Sequence, residues 1–176
     1  MIPLRHPSRD NSGPGWWFLT INAYQHRELF GRMEGKRVVL SDVGRIVRDS
    51  WEAVPLHFPH AATDAWVVMP NHLHAVLRLK AHDPARVTHV QRIEAFGKPI
   101  AGSLATVVRS FKAAVTKTVR ERIDGTWFVW QSRFWDRKLF DERSIRNSRA
   151  YIANNPARWH EGPWARPCLT GKDHGP

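Results

Sequence analysis

The sequence predicts an α+β sandwich in which helices pack on one face of a small antiparallel sheet. Short runs of β-favouring residues, Trp16 to Asn22, Ala65 to Met69 and His72 to Leu79, predict strands. Segments with apolar residues at a 3.6-residue spacing predict helices between them. The resulting order is strand, helix, two strands, helix, strand, helix, which suits antiparallel strands covered by helices. At 176 residues and 42% hydrophobic content the chain is sized for one domain with a real core.

Residues 1–14 are polar and rich in Pro, Arg and Ser, and are expected to form a loose arm ahead of a single domain spanning 15–160. Trp16 to Asn22 is the first strand, and Gln25-His26-Arg27 begins its exit loop. Val38 to Leu40 lead into Ser41, a residue type suited to a helix N-cap, after which Val43, Ile46, Val47, Trp51 and Val54 recur at helical spacing until Pro55. Ala65 to Met69 and His72 to Leu79 flank the turn signal Pro70-Asn71 and predict a hairpin. Residues 80–102, broken by Pro84, Gly97 and Pro99, read as a variable insertion. From Ser103, the apolar positions Leu104, Val107, Val108, Phe111, Val115 and Val119 define a second helix. Its cations Arg109, Lys112, Lys117 and Arg120 lie largely off that stripe. Trp127 to Trp130, with Phe134-Trp135 interleaved among Arg133, Arg137 and Lys138, predict another strand and a loop facing nucleic acid. A third helix runs from Glu142 to Asn155 and is stopped by Pro156, because the residue before a proline avoids the helical region. Residues 161–176 are expected to be irregular.

Charge narrows the partners. With 27 Lys+Arg against 16 Asp+Glu the formal charge is +11, which points to a polyanion, nucleic acid first and an anionic membrane surface second. No apolar stretch approaches the ~20 residues of a membrane helix, and the first residues show no apolar signal region, so the expectation is a cytoplasmic, nucleoid-associated protein with no membrane partner. A single cysteine, Cys168, excludes an intrachain disulfide framework and any CxxC site. Nine Trp and eight Phe stand beside only two Tyr. Aromatics interleaved with Arg serve either as core or as platforms on which unpaired bases stack.

Two clusters carry chemistry. In Asn71-His72-Leu73-His74-Ala75, strand alternation projects His72 and His74 from one face and turns Leu73 and Ala75 to the other. Two neutral imidazoles side by side are half of a metal site; the plain alternative is a polar pair on the sheet. In the third helix Tyr151 and Asn155 stand at i and i+4, on one surface beside a core stripe marked by Ile145 and Ile152. An Asn side chain offers an oxygen to a hard cation and a tyrosine offers a nucleophile. The plain alternative is a packed aromatic and a helix C-cap.

Together these segments resemble the single-tyrosine HUH transposases of insertion sequences, most closely the REP-associated tyrosine transposase branch. The carrying residues are Trp66-Val67-Val68-Met69-Pro70-Asn71-His72-Leu73-His74, Trp130-Gln131-Ser132-Arg133-Phe134-Trp135-Asp136, and Arg149-Ala150-Tyr151-Ile152-Ala153-Asn154-Asn155-Pro156. The resemblance covers about Trp16 to Trp159. It implies a ferredoxin-like or RNA-recognition-like sandwich. It further implies His72, His74 and Asn155 as ligands of Mg²⁺ or Mn²⁺ and Tyr151 as the nucleophile on single-stranded or hairpin (REP-like) DNA. A 5′-phosphotyrosine intermediate and a monomer or homodimer follow from the same likeness. The 80–102 segment and the tail depart from the family pattern and bear on substrate choice.

A phenol of ordinary acidity is only ~0.1% ionised at pH 7, a deficit of ~4 kcal/mol, which a metal on the phosphate would offset. Tyr24 lies far upstream in sequence, which favours a one-tyrosine cycle. Two other readings compete. One is a domesticated nucleic-acid-binding module that does not cut. The other is a zinc hydrolase built on His57, His60, His72 and His74, disfavoured because Pro59 interrupts the first pair and no HExxH carboxylate is present.

Overall fold

The computed structural model describes residues 13–81, 102–123 and 128–161. Nearly all of the expected arm, most of the 80–102 segment, Trp127 and the tail beyond 161 lie outside the described residues. In chain order the elements are β1 (Gly15–Asn22), β2 (Gly31–Glu34), β3 (Arg37–Leu40), α1 (Asp42–Glu52), α2 (Val54–His57), β4 (Ala61–Met69), β5 (His72–Leu79), α3 (Leu104–Arg122), β6 (Trp135–Leu139) and α4 (Glu142–Asn154). Four strands form one sheet in the order β4-β5-β1-β6, and β2 and β3 form a separate two-stranded pair. Every neighbouring pair in the large sheet is antiparallel. Counting only its strands and the helices that link them, the chain runs β-α-β-β-α-β with the first strand central, which is the ferredoxin-like arrangement.

Side-chain caps hold the helix starts, the first of them, Ser41, as expected from the sequence. Ser41 Oγ accepts from the Gly44 amide at 3.1 Å and Ser103 Oγ from the Thr106 amide at 3.2 Å. Asp141 and Ser144 close a capping box on α4. Pro55 does end α1, and it sits at the start of the further single turn α2.

Strand parity divides the interior in two. Trp17, Leu19 and Ile21 of β1, with Leu73, Ala75 and Leu77 of β5, join the buried faces of α1 and α3 in the main core. The opposite parity, Phe18 and Val76, meets Leu139 and the Ile145 and Ile152 stripe of α4 in a smaller second core. The helices therefore occupy both faces of the sheet and not one. The reason lies in β5, whose residues His72 to Leu77 are all buried, so both of its faces require cover.

The last strand is displaced from its expected place. Phe128 to Trp130 runs beside the end of β1 with one bridge, between Trp130 and Ala23, and the ladder forms at Trp135–Leu139. Val129 and Trp130 are aromatic and apolar because they enter the main core. Strand β6 carries Asp136, Arg137 and Lys138 because it is an edge strand. The β2–β3 pair was not anticipated, and β4 begins at Ala61, with a register shift between Thr63 and Trp66. Among the described residues no helix is long and apolar enough to cross a membrane.

Candidate active site

His72 and His74 open β5 on the α4 side of the sheet, and both are buried, 1% and 5% exposed. Their ring centroids lie 4.3 Å apart. Tyr151 comes down from α4 onto the same spot: its Oη is 3.5 Å from His74 Nε2, and its ring lies 5.3 Å from that of His74. Phe18 forms the floor, edge-on to Tyr151 at 5.8 Å and beside His74 at 5.3 Å. Tyr151 keeps 46% exposure, so its hydroxyl is open to a substrate while its ring is seated.

Neighbours set the tautomers. Asn71 Nδ2 donates to the His26 carbonyl at 3.3 Å, which turns its Oδ1 to accept from His72 Nδ1 at 2.6 Å. His72 thus bears its proton on Nδ1 and carries a lone pair on Nε2. Thr20 Oγ1 lies 2.9 Å from His74 Nδ1 and engages that nitrogen, leaving Nε2 toward Tyr151. Such outer hydrogen bonds orient imidazole ligands and fix which nitrogen faces a metal. Burial pushes the His74 imidazole down to about 4, against a weaker upward pull from its hydrogen bond to the Leu19 backbone. His72 is held well below the usual imidazole range by burial first, then by the nearby His74 and His26. Both rings are therefore neutral at pH 7, the state that ligates metals. Sequence reasoning read Asn71 only as a turn signal and Thr20 only as a strand residue; the cross-strand pairing of Thr20 with His74 is what reveals the latter.

The placement of α4 rests on Ile145 and Ile152, 4% and 3% exposed, as their spacing foretold. It also rests on an ion pair that sequence reasoning missed, between Arg149 and Asp64. Asn155 lies one turn beyond Tyr151, as the C-cap of α4.

The predicted cations divide. Arg137 lies on the site face, its guanidinium 6.0 Å from the Phe18 ring centroid. Arg133 is exposed in the segment just before β6. Lys138 has the opposite parity and lies over Trp17, away from the histidines. Arg109, Lys112, Lys117 and Arg120 ride on α3, which packs on the other face of the sheet. Lys112, Lys117 and Arg120 line a groove of about 640 Å³ with Phe128. Lys112 is only half exposed there, and its Nζ donates to the Gln131 and Ser132 carbonyls, a structural engagement the sequence did not disclose. Trp135, 36% exposed, shares a rung with Thr20 and His74 across three strands and packs edge-on against Phe18 at 5.8 Å.

Two sequence expectations look different in space. Tyr24 lies only two residues past Asn22, the partner of His72, but its ring stacks on Phe128. His60 Nε2 lies 3.1 Å from the Gly102 carbonyl and His57 lines a cavity between α1, α2 and α3. Among the described residues no three His, Cys, Asp or Glu side chains gather at one point, which removes the four-histidine zinc reading.

Over 163 residues the chain is 31% identical to an uncharacterized protein of Haemophilus influenzae, covering 91% of this chain and 89% of that one. It is 25% identical over 150 residues to a second protein of that organism, predicted to be a REP-associated tyrosine transposase, covering 85% of this chain and 74% of that one. The fold matches a solved REP-associated tyrosine transposase bound to a REP hairpin with a TM-score of 0.62 at 21% identity, covering 92% of this chain and 76% of that one. The chain is similar in sequence and in fold to REP-associated tyrosine transposases. No family model matches it. Within this REP-associated transposase fold, the three residues that carry the resemblance most directly, His72, His74 and Tyr151, are the three side chains that meet on the Phe18 floor.

Proposed function

We propose that the chain cleaves and rejoins single-stranded DNA flanking a REP-like hairpin, with Tyr151 as nucleophile. The observation that carries this reading is the approach of an exposed tyrosine hydroxyl to within 3.5 Å of a buried imidazole nitrogen, with a second imidazole beside it. Tyr151 Oη forms a bond to a backbone phosphorus while the P–O3′ bond breaks. The phenolic proton passes to solvent, and the departing 3′ oxygen gains one, leaving a 5′-phosphotyrosine and a free 3′-OH. Attack by another 3′-OH reverses these bonds and releases Tyr151, so the phosphoester energy is conserved for rejoining.

The donor chemistry suits a divalent cation: two neutral imidazoles side by side, each with Nδ1 engaged, and the amide oxygen that Asn155 offers one turn past the nucleophile. His72, His74 and Asn155 would hold Mg²⁺ or Mn²⁺, which when bound supplies Lewis-acid polarisation of the phosphate. Asn71 and Thr20 hold the imidazoles in register for it, Phe18 seats the Tyr151 ring, and the pairing of Arg149 with Asp64 anchors the helix that bears the nucleophile. Arg137 and Trp135 lie where a strand entering over β6 reaches the site. Lys117, Arg120 and Arg109 offer phosphate contacts on the α3 side.

The test is incubation with a labelled hairpin carrying a single-stranded flank and Mn²⁺, read on a denaturing gel. A protein-linked DNA band is expected from the native chain and none from Tyr151→Phe. Binding without linkage would assign a non-cleaving module, and free products without linkage a hydrolase.

A further inference from the structure

Asn22, the last residue of β1, pairs directly with His72 of β5. Its side chain shares the parity of Thr20 and Phe18, both of which touch His74, so it projects from the site face of the sheet. Directly paired residues hold their Cβ atoms roughly 5 Å apart. Asn22 Oδ1 is buried and has no hydrogen-bond partner. A buried amide oxygen left in that state is destabilising, so an apolar residue would serve the fold better. The backbone carbonyl of the same residue is engaged, accepting from the Gln131 amide at 3.0 Å, so the orphan is the side chain alone. With no third His, Cys, Asp or Glu gathered at the histidine pair among the described residues, any further protein donor there is a neutral oxygen.

We infer that Asn22 Oδ1 is a further, sheet-borne ligand of the divalent cation, so that beside Asn155 on α4 three donors, Asn22, His72 and His74, come from the sheet. The inference rests on the metal-dependent reading proposed above. An amide carbonyl oxygen suits a hard divalent cation, and two imidazoles beside it favour Mn²⁺ over Mg²⁺. The sheet's three donors then hold the ion while α4 delivers the nucleophile, which lets Tyr151 carry a covalently attached strand without dismantling the metal site.

The experiment is Mn²⁺ titration of the full chain without DNA, followed by electron paramagnetic resonance, with metal-free thermal melts alongside. Asn22→Ala is expected to weaken Mn²⁺ binding roughly tenfold or more, a loss at least as large as that from removing an outer-shell partner. Its metal-free melting temperature should hold or rise, because an unsatisfied oxygen has been removed. Asn22→Asp, nearly isosteric and carrying a charged oxygen, should bind at least as tightly as the native chain. Unchanged Mn²⁺ affinity in Asn22→Ala overturns the assignment, whether or not its melting temperature falls. If Asn22→Ala does not fold, the aspartate variant decides: affinity below the native value overturns the assignment. Native protein that binds Mn²⁺ through Asn22 but forms no Tyr151–DNA adduct would overturn the proposed reaction and leave this ligand in place.

Discussion

Arg149 on α4 grips Asp64 on β4 with two parallel hydrogen bonds, Nε to Oδ1 at 2.8 Å and Nη2 to Oδ2 at 2.7 Å. Asp64 lies inside the register shift between Thr63 and Trp66, a local irregularity of the kind that re-aims side chains. The Arg149 guanidinium also lies over Trp16 at 5.5 Å, and Arg78 approaches the same ring at 5.4 Å. Two residues on is Tyr151, so this clamp sets where the nucleophile hangs. Asp64→Asn should lower adduct formation by about tenfold while Mn²⁺ affinity holds, since small misplacements of a reacting group are costly. The Arg149 hydrogen bond holds the Asp64 carboxyl below the usual carboxylate range. The clamp is therefore fully present above the unfolded carboxylate pKa, near 4, and lost as pH falls through the lower folded value. Thermal melts from pH 6 to 2 should show that loss in the native chain and a shallower one in Asp64→Asn.

For the metal-free protein a second acid sensitivity is expected from the histidines. The unfolded chain takes up a proton on each imidazole near pH 6.5, whereas folded His74 resists to about 4. Stability should rise with pH between those values, by about 3 kcal/mol from His74, and level off above them. Melts in chelator from pH 4 to 8 test this; a flat profile across that window refutes it, and His74→Gln should make it shallower, with His72 carrying the remainder.

Trp135 is expected to stack an unpaired base. Trp135→Ala should weaken single-stranded DNA binding by about 1–3 kcal/mol, the range for loss of one aromatic platform, and Trp135→Phe should recover most of it. A 2-aminopurine placed next to the scissile phosphate should be quenched by the native chain and not by Trp135→Ala. Equal quenching by both proteins would move the base elsewhere.

The α3 cations should separate by role. Lys117→Ala and Arg120→Ala are expected to reduce the salt slope of DNA binding by about 1 each, read from affinity at several ionic strengths. Lys112→Met should instead destabilise the fold by about 1–2 kcal/mol, because it strips a donor from the Gln131 and Ser132 carbonyls. If Lys112→Met leaves the melting temperature alone and lowers the salt slope, the two roles are reversed.

Much of this was legible from residue order. Ser41, Ser103 and Asp141 stand where helices begin because their side chains accept the first unpaired amides, an interaction within three residues that needs no tertiary context. The i, i+2 spacing of His72 and His74 puts both on one face of any strand, and the Ile145 and Ile152 stripe forecast which side of α4 would be buried. Local composition misled over the run ending at Trp130, where Val129 and Trp130 are apolar because they are buried in the main core, and it passed over Trp135–Leu139, whose charges belong to an edge.

Sequence alone determined that this chain has a basic surface, an α+β order and a short set of candidate groups, since charge, periodicity and caps are local properties. Tertiary structure decided which of those groups meet. Antiparallel pairing set Thr20, Asn22 and Trp135 in register with the histidines, and a bulge turned Asp64 toward Arg149. The parity of β1 and β5 gave α4 its own face, the one that holds His72 and His74. Register, bulge and face are relations between segments distant in the chain, fixed by the burial of two faces at once, and no single segment carries them.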